Sequence, residues 1–96
     1  MAFHVGDEVL SVKRIEIGEI VSIVSAGIYN VRYRKTGPGN AAEDELRAIP
    51  IVGRIRIPIG SFFVYASTEH VDGGYHLVTD KYTQNGNRIR NVRKSF

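Results

Sequence analysis

Residues 18–33 read GEIVSIVSAGIYNVRY. β-branched and aromatic residues fill two arms, and Ala26-Gly27 breaks them. Glycine accepts positive φ without steric cost, so the break suits a tight turn. The stretch predicts a hairpin of two antiparallel strands, 18–25 and 28–35. By the period of two, Tyr29, Val31 and Tyr33 share one face, and Asn30, Arg32 and Arg34 share the other.

Working outward, residues 5–13 (VGDEVLSVK) predict a strand before the hairpin, with Gly6-Asp7 as its opening turn. After the hairpin, TGPGN (36–40) reads as a loop because two glycines flank a proline. Asn40 then caps a helix candidate, AAEDELR (41–47), which Pro50 closes off. One or two turns is all that segment holds, and such a helix needs packing to persist.

The second half is again β in pattern. RIRIPI (54–59) alternates strictly, with Ile55, Ile57 and Ile59 on one face and Arg54, Arg56 and Pro58 on the other. Proline cannot donate to a ladder, so this strand belongs at an edge. SFFVYAS (61–67) is apolar on both faces and belongs inside a sheet. DGG (72–74) and NGN (85–87) predict turns into strands 75–83 and 88–94. The expectation is an all-β protein, up to seven short strands with one helical stub, barrel-like or sandwich-like, forming one compact domain over 1–96. Residues 61–94 form a three-stranded antiparallel meander in this reading.

The chain has 96 residues, 43% hydrophobic and 24% charged, with no cysteine. Disulfides, thiolate nucleophiles and cysteine–zinc ribbons are thereby excluded. The acids Asp7 and Glu8 stand where a signal peptide needs an apolar run, and no stretch is long and apolar enough to span a membrane. A cytoplasmic protein without membrane contact is expected. The net charge of +3 is unevenly spread. Residues 1–50 carry six bases and seven acids, residues 51–96 seven bases and three acids. The last 16 residues hold five bases and no acid, which points to a polyanionic partner.

Four segments follow one another with short gaps: FHVGDEVLSV (3–12), GEIVSI (18–23), GIYNVRY (27–33) and EDELRAI (43–49). Their series resembles the small SH3-like barrels of the Tudor, chromo-barrel and KOW kind, over about residues 3–50. The resemblance implies a small barrel, extended here by the meander, and a binding module rather than an enzyme. Tudor-type barrels hold methylated lysine or arginine in an aromatic cage, and KOW-type barrels touch nucleic acid or its machinery. The loop where a cage would sit, KRIEIGE (13–19), has no aromatic.

Candidate residues fall into three groups. Lys81, Arg88, Arg90, Arg93 and Lys94 form a basic ribbon at the C-terminus, with Arg88, Arg90 and Lys94 expected on one face and Arg93 on the other. Tyr75 and Tyr82 interleave aromatics on the paired strand, and Arg32 and Arg34 add bases on the first hairpin. Arginines and aromatics on a β-ribbon suit phosphate contact and base stacking. Charge on a last strand also guards an edge against aggregation. Tyr29 and Tyr33 are core residues by their periodicity and ligand-contacting rings otherwise. His70 and His76 flank the VDGG turn; a three-residue loop would pair them, and Asp72 or Glu69 would then add an oxygen ligand for zinc or nickel. No phosphate-binding loop, nucleophile elbow or cofactor motif is present, so no cofactor is expected. The favoured partner is nucleic acid. A protein-interaction or self-assembly module using apolar strand edges is the alternative, and a small metal-dependent enzyme on the histidine hairpin is the third reading.

Overall fold

A computed structural model describes residues 3–95. The chain is almost entirely β, in two antiparallel sheets, and divides into two compact units between Ile49 and Pro50.

The N-terminal unit contains β1 (Glu8–Ser11), β2 (Glu16–Ser25), β3 (Ile28–Tyr33), β4 (Gly37–Ala42), a 3-10 turn (Glu43–Glu45) and β5 (Leu46–Ala48). Their order in the sheet is β4-β3-β2-β1-β5. The ladder ends at β4 and β5 and does not close into a barrel. The hairpin of residues 18–33 forms with Ser25 opposite Ile28 and Gly27 at φ 76°. Gly18 lies inside β2, opposite both Val9 and Tyr33. A Cβ there would stand 2.5 Å from Val31 Cγ1, so only glycine fits. Phe3, Val9, Ile20, Tyr29, Val31, Tyr33, Ala41 and Leu46 pack into one core.

Two expectations change here. TGPGN is largely strand: β4 pairs with β3 from Tyr33↔Gly37 to Ile28↔Ala42. Pro38 is tolerated because β4 is an edge. The helical stub shrinks to the 3-10 turn, because Ala41 and Leu46 are both buried in the core and the chain on either side is drawn into ladders. Three residues of turn remain, closed by the Leu46 N–H donating to the Glu43 carbonyl.

The C-terminal unit is a four-stranded meander in the order β6-β7-β8-β9: β6 (Arg54–Ile59), β7 (Phe62–Val71), β8 (Gly74–Thr83) and β9 (Arg88–Ser95). β6, with Pro58, is an edge as expected, and β7 is internal. The β8–β9 connection is longer than a two-residue turn. It spans 84–87, with the Gly86 N–H donating to the Thr83 carbonyl at 3.0 Å and Gly86 at φ 87°.

Cross-strand pairing fixes the faces, since directly paired residues point to the same side. One face carries Ile55, Ile57, Phe62, Val64, Ala66 and Leu77, the apolar side. The other carries Arg54, Arg56, Phe63, Tyr65 and Tyr82. Among the described residues no helix is long and apolar enough to cross a membrane.

Candidate nucleic-acid interface

The second face of the C-terminal sheet gathers aromatic rings and arginines. Phe63 and Tyr65 stand two apart on β7, and Tyr82 pairs with Phe63 from β8. Phe63 and Tyr82 stack with centroids 5.4 Å apart and planes 10° from parallel. Tyr65 meets Phe63 edge-on at 5.3 Å and Tyr82 at 5.7 Å. Such pairs contribute about 0.5–1.5 kcal/mol each beyond their area, so Tyr65 and Tyr82, both half-buried, form a platform held in defined geometry against Phe63, which is only 8% exposed.

Four arginines surround it. Arg56 pairs with Tyr65 and Arg54 with Ser67 across the β6–β7 ladder. The Arg54 guanidinium lies 3.9 Å from the centroid of Tyr65, and that of Arg56 4.2 Å from the centroid of Phe63. Neither has a carboxylate within ion-pair reach among the described residues. Arg88 and Arg93 reach the same face from β9. Arg93 donates to Glu69, and Arg88 stands 3.9 Å from Asp80, whose Oδ1 also accepts from Asn91. The face therefore holds four fixed cations against two carboxylates, with the surplus at the β6 edge.

The basic ribbon is real but divided differently from the expectation. Lys81 pairs with Arg90 and Tyr82 with Arg88, which leaves Ile89 as an extra, unpaired residue. This bulge reverses the alternation. Arg88 consequently joins Arg93 and Tyr82 on the ring-bearing face, while Arg90 and Lys94 join Lys81 on the opposite face. Tyr75 is on that opposite face too, beside His70 at 4.5 Å between centroids, away from Tyr82. Lys81 leans over Phe62, 4.6 Å from its centroid.

The remaining candidates of the N-terminal unit do not form a site. Tyr29 and Tyr33 are each only 2% exposed. The Tyr29 hydroxyl accepts from the Phe3 N–H and donates to Glu43, both at 3.0 Å. Both rings are core and offer no face to a ligand. Burial pushes the Tyr33 phenol above its ordinary value, against the lowering effect of a Ser11 hydrogen bond and the Arg14 charge. Arg32 and Arg34 are exposed but engaged, with Glu19 at 3.0 Å and Glu8 at 2.9 Å.

The histidine hairpin is out of register. The turn is Asp72-Gly73, two residues rather than three, so His70 pairs with Tyr75 and His76 with Glu69. That one-residue difference sends the two imidazoles to opposite faces. Among the described residues no group of three histidine, cysteine or acidic side chains converges on one point.

Arg54, Arg56, Phe63 and Tyr65 were absent from the expected site. Their alternation was visible in RIRIPI and SFFVYAS; what was not visible was the pairing of Ile59 with Phe62, which brings the two alternations to one side. No family model matches this chain, and no curated protein or solved structure matches it.

Proposed function

We propose that the protein is a small non-enzymatic binding module whose C-terminal sheet takes nucleic acid, free or within a complex. The observation that carries this reading is the set of four arginines around Phe63, Tyr65 and Tyr82, two of them without a carboxylate partner among the described residues. Arginine forks recognise phosphate, and ring faces accept bases. Arg54, Arg56, Arg88 and Arg93 are the phosphate-contacting residues; Lys81, Arg90 and Lys94 add field from the other side of the β8–β9 ribbon. For the N-terminal unit, the sequence resemblance together with a five-stranded sheet and one 3-10 turn supports an SH3-like, Tudor- or KOW-type reading. A cytoplasmic location is part of the proposal, and the absence of cysteine is compatible with its reducing conditions.

Fluorescence anisotropy with labelled DNA and RNA at 50 and 200 mM salt tests the proposal. Four neutralised phosphates on a single strand correspond to an affinity loss of about 50-fold between those salts. Replacing Arg54 and Arg88 together by alanine then lowers the salt-induced loss to about sevenfold. Absence of binding to every nucleic acid at 50 mM salt rejects the reading.

A second reading, a protein-interaction or self-assembly module, rests on a separate observation. Val21, Ile23 and Val24 are 42%, 54% and 53% exposed on the irregular end of β2. Apolar surface of this kind suits a protein partner or a second copy. Light scattering that shows a stable oligomer indifferent to salt favours it.

A further inference from the structure

Resting on the nucleic-acid reading, we infer that the ligand is a single strand whose bases stack on the β6–β7–β8 face, with Arg54 and Tyr65 as the central stacking pair. A duplex shows its phosphates and groove edges but keeps its base faces against one another. A surface built only for duplex phosphates needs cations and no rings. Here the cations are set upon rings. Guanidinium groups 3.9 and 4.2 Å from ring centroids lie in van der Waals contact with those rings. An unpaired base can stack on the outer plane of such a guanidinium or replace it on the ring.

The placement of carboxylates sharpens the inference. Glu69 on β7 and Asp80 on β8, the latter directly opposite Tyr65, are engaged from β9 by Arg93 and by Arg88 and Asn91. Arg54 and Arg56 are left with aromatic partners and uncompensated charge. One side of the platform therefore attracts a strand by charge and offers π-faces at the same residues. On the other side Asp80 and Glu69 offset part of the charge of Arg88 and Arg93, so those two add phosphate contacts of lesser strength. Pro58, paired with Phe63, continues the apolar surface along the β6 edge.

The test uses the full chain, whose five tyrosines and lack of tryptophan make tyrosine emission a direct reporter. A 15-nucleotide oligo-dT, oligo-U of the same length, a 15-base-pair DNA duplex and inorganic polyphosphate are titrated at 50 mM salt. The expected result is binding of a single strand at least tenfold tighter than the duplex or polyphosphate, with quenched tyrosine emission. Tyr65→Leu then weakens single-strand binding about tenfold at unchanged salt slope, while Tyr65→Phe keeps the affinity. Arg54→Lys, which preserves charge at an exposed edge position, weakens it several-fold with the slope unchanged. That variant decides the matter if Tyr65→Leu does not fold. Duplex or polyphosphate binding equal to oligo-dT, or full single-strand affinity in Arg54→Lys and in a folded Tyr65→Leu, overturns the inference and leaves nucleic-acid binding standing. No binding of any nucleic acid overturns both.

Discussion

The two units use the same residue types for opposite ends. In the N-terminal sheet, Tyr29 and Tyr33 are buried and the arginines on the other side of β3 lie beside Glu19 and Glu8. In the C-terminal sheet, Tyr65 and Tyr82 are half-buried and two arginines lie on rings rather than beside carboxylates. Tyr33 also carries a guanidinium, that of Arg14 at 4.4 Å from its centroid, but at 2% exposure its ring is a structural element. One left half-open under a guanidinium serves, in the proposed function, as a contact surface. The difference comes from register and from where the acids fall, not from composition.

That contrast breaks first at Tyr29. Tyr29→Ala removes a core ring together with its hydroxyl's hydrogen bonds from the Phe3 N–H and to Glu43; a loss of about 3–5 kcal/mol is expected in denaturant unfolding of the N-terminal unit. Tyr65→Ala removes a half-open ring and two edge contacts, and a loss nearer about 1–2 kcal/mol is expected. Equal losses would show that the platform rings are as structural as the core rings.

Gly18→Ala gives the next effect. Its Cβ would meet Val31 Cγ1 at 2.5 Å and Tyr33 Cδ1 at 3.0 Å, in the middle of the core. Relaxation there displaces the Val31 and Tyr33 side chains of β3, and overpacking of this kind costs about 1–3 kcal/mol. Gly74→Ala is the control, since a Cβ at that position meets nothing within 4 Å. A Gly18→Ala protein as stable as the control removes close approach as the reason for glycine in β2.

How far these differences could be read beforehand varies by element. The β2–β3 hairpin was legible because local signals agree: strand formers on both arms and Ala26-Gly27 between them. β4 was not, because its residues carry the composition of a turn. Gly37, Pro38 and Gly39 become strand through pairing with β3, and a Cβ at Gly39 would fit tightly, 3.0 Å from Arg14 Nη2 and 3.2 Å from Tyr33 Cε2. No window of sequence shows that neighbour. The basic ribbon was legible as charge but not as geometry, since the bulge at Ile89 alone decides that Arg88 and Arg90 part. The histidine pair failed on a single residue of turn length.

The pH response separates the units more gently. Burial raises the Tyr33 phenol above its ordinary value, so the folded state holds that proton more tightly than the unfolded chain. The associated stability is whole below the unfolded value near ~10 and falls as pH rises through the folded one. Urea unfolding between pH 8 and 11 is expected to show that decline. Tyr33→Phe flattens it. An unchanged decline in Tyr33→Phe assigns the response to other groups.

The smallest effect is the one that most directly tests the assignment of the arginines. Arg32 and Arg34 are exposed, and each lies within 3.0 Å of a carboxylate. Exposed pairs of this kind contribute about 0–1 kcal/mol, so Arg32→Ala is expected to change stability barely at all. Its charge is offset locally by Glu19, so nucleic-acid affinity and salt slope are expected to stay as they are. Glu19→Gln sharpens the point by freeing Arg32 from that neutralisation. If the C-terminal platform carries binding, the freed charge raises affinity at 50 mM salt less than twofold and leaves the slope unaltered, because no ring and no second uncompensated arginine stand beside it. If Arg32→Ala lowers the salt slope by the same amount as Arg54→Ala, then the first hairpin touches phosphate as well, and the division of labour between the two sheets does not hold.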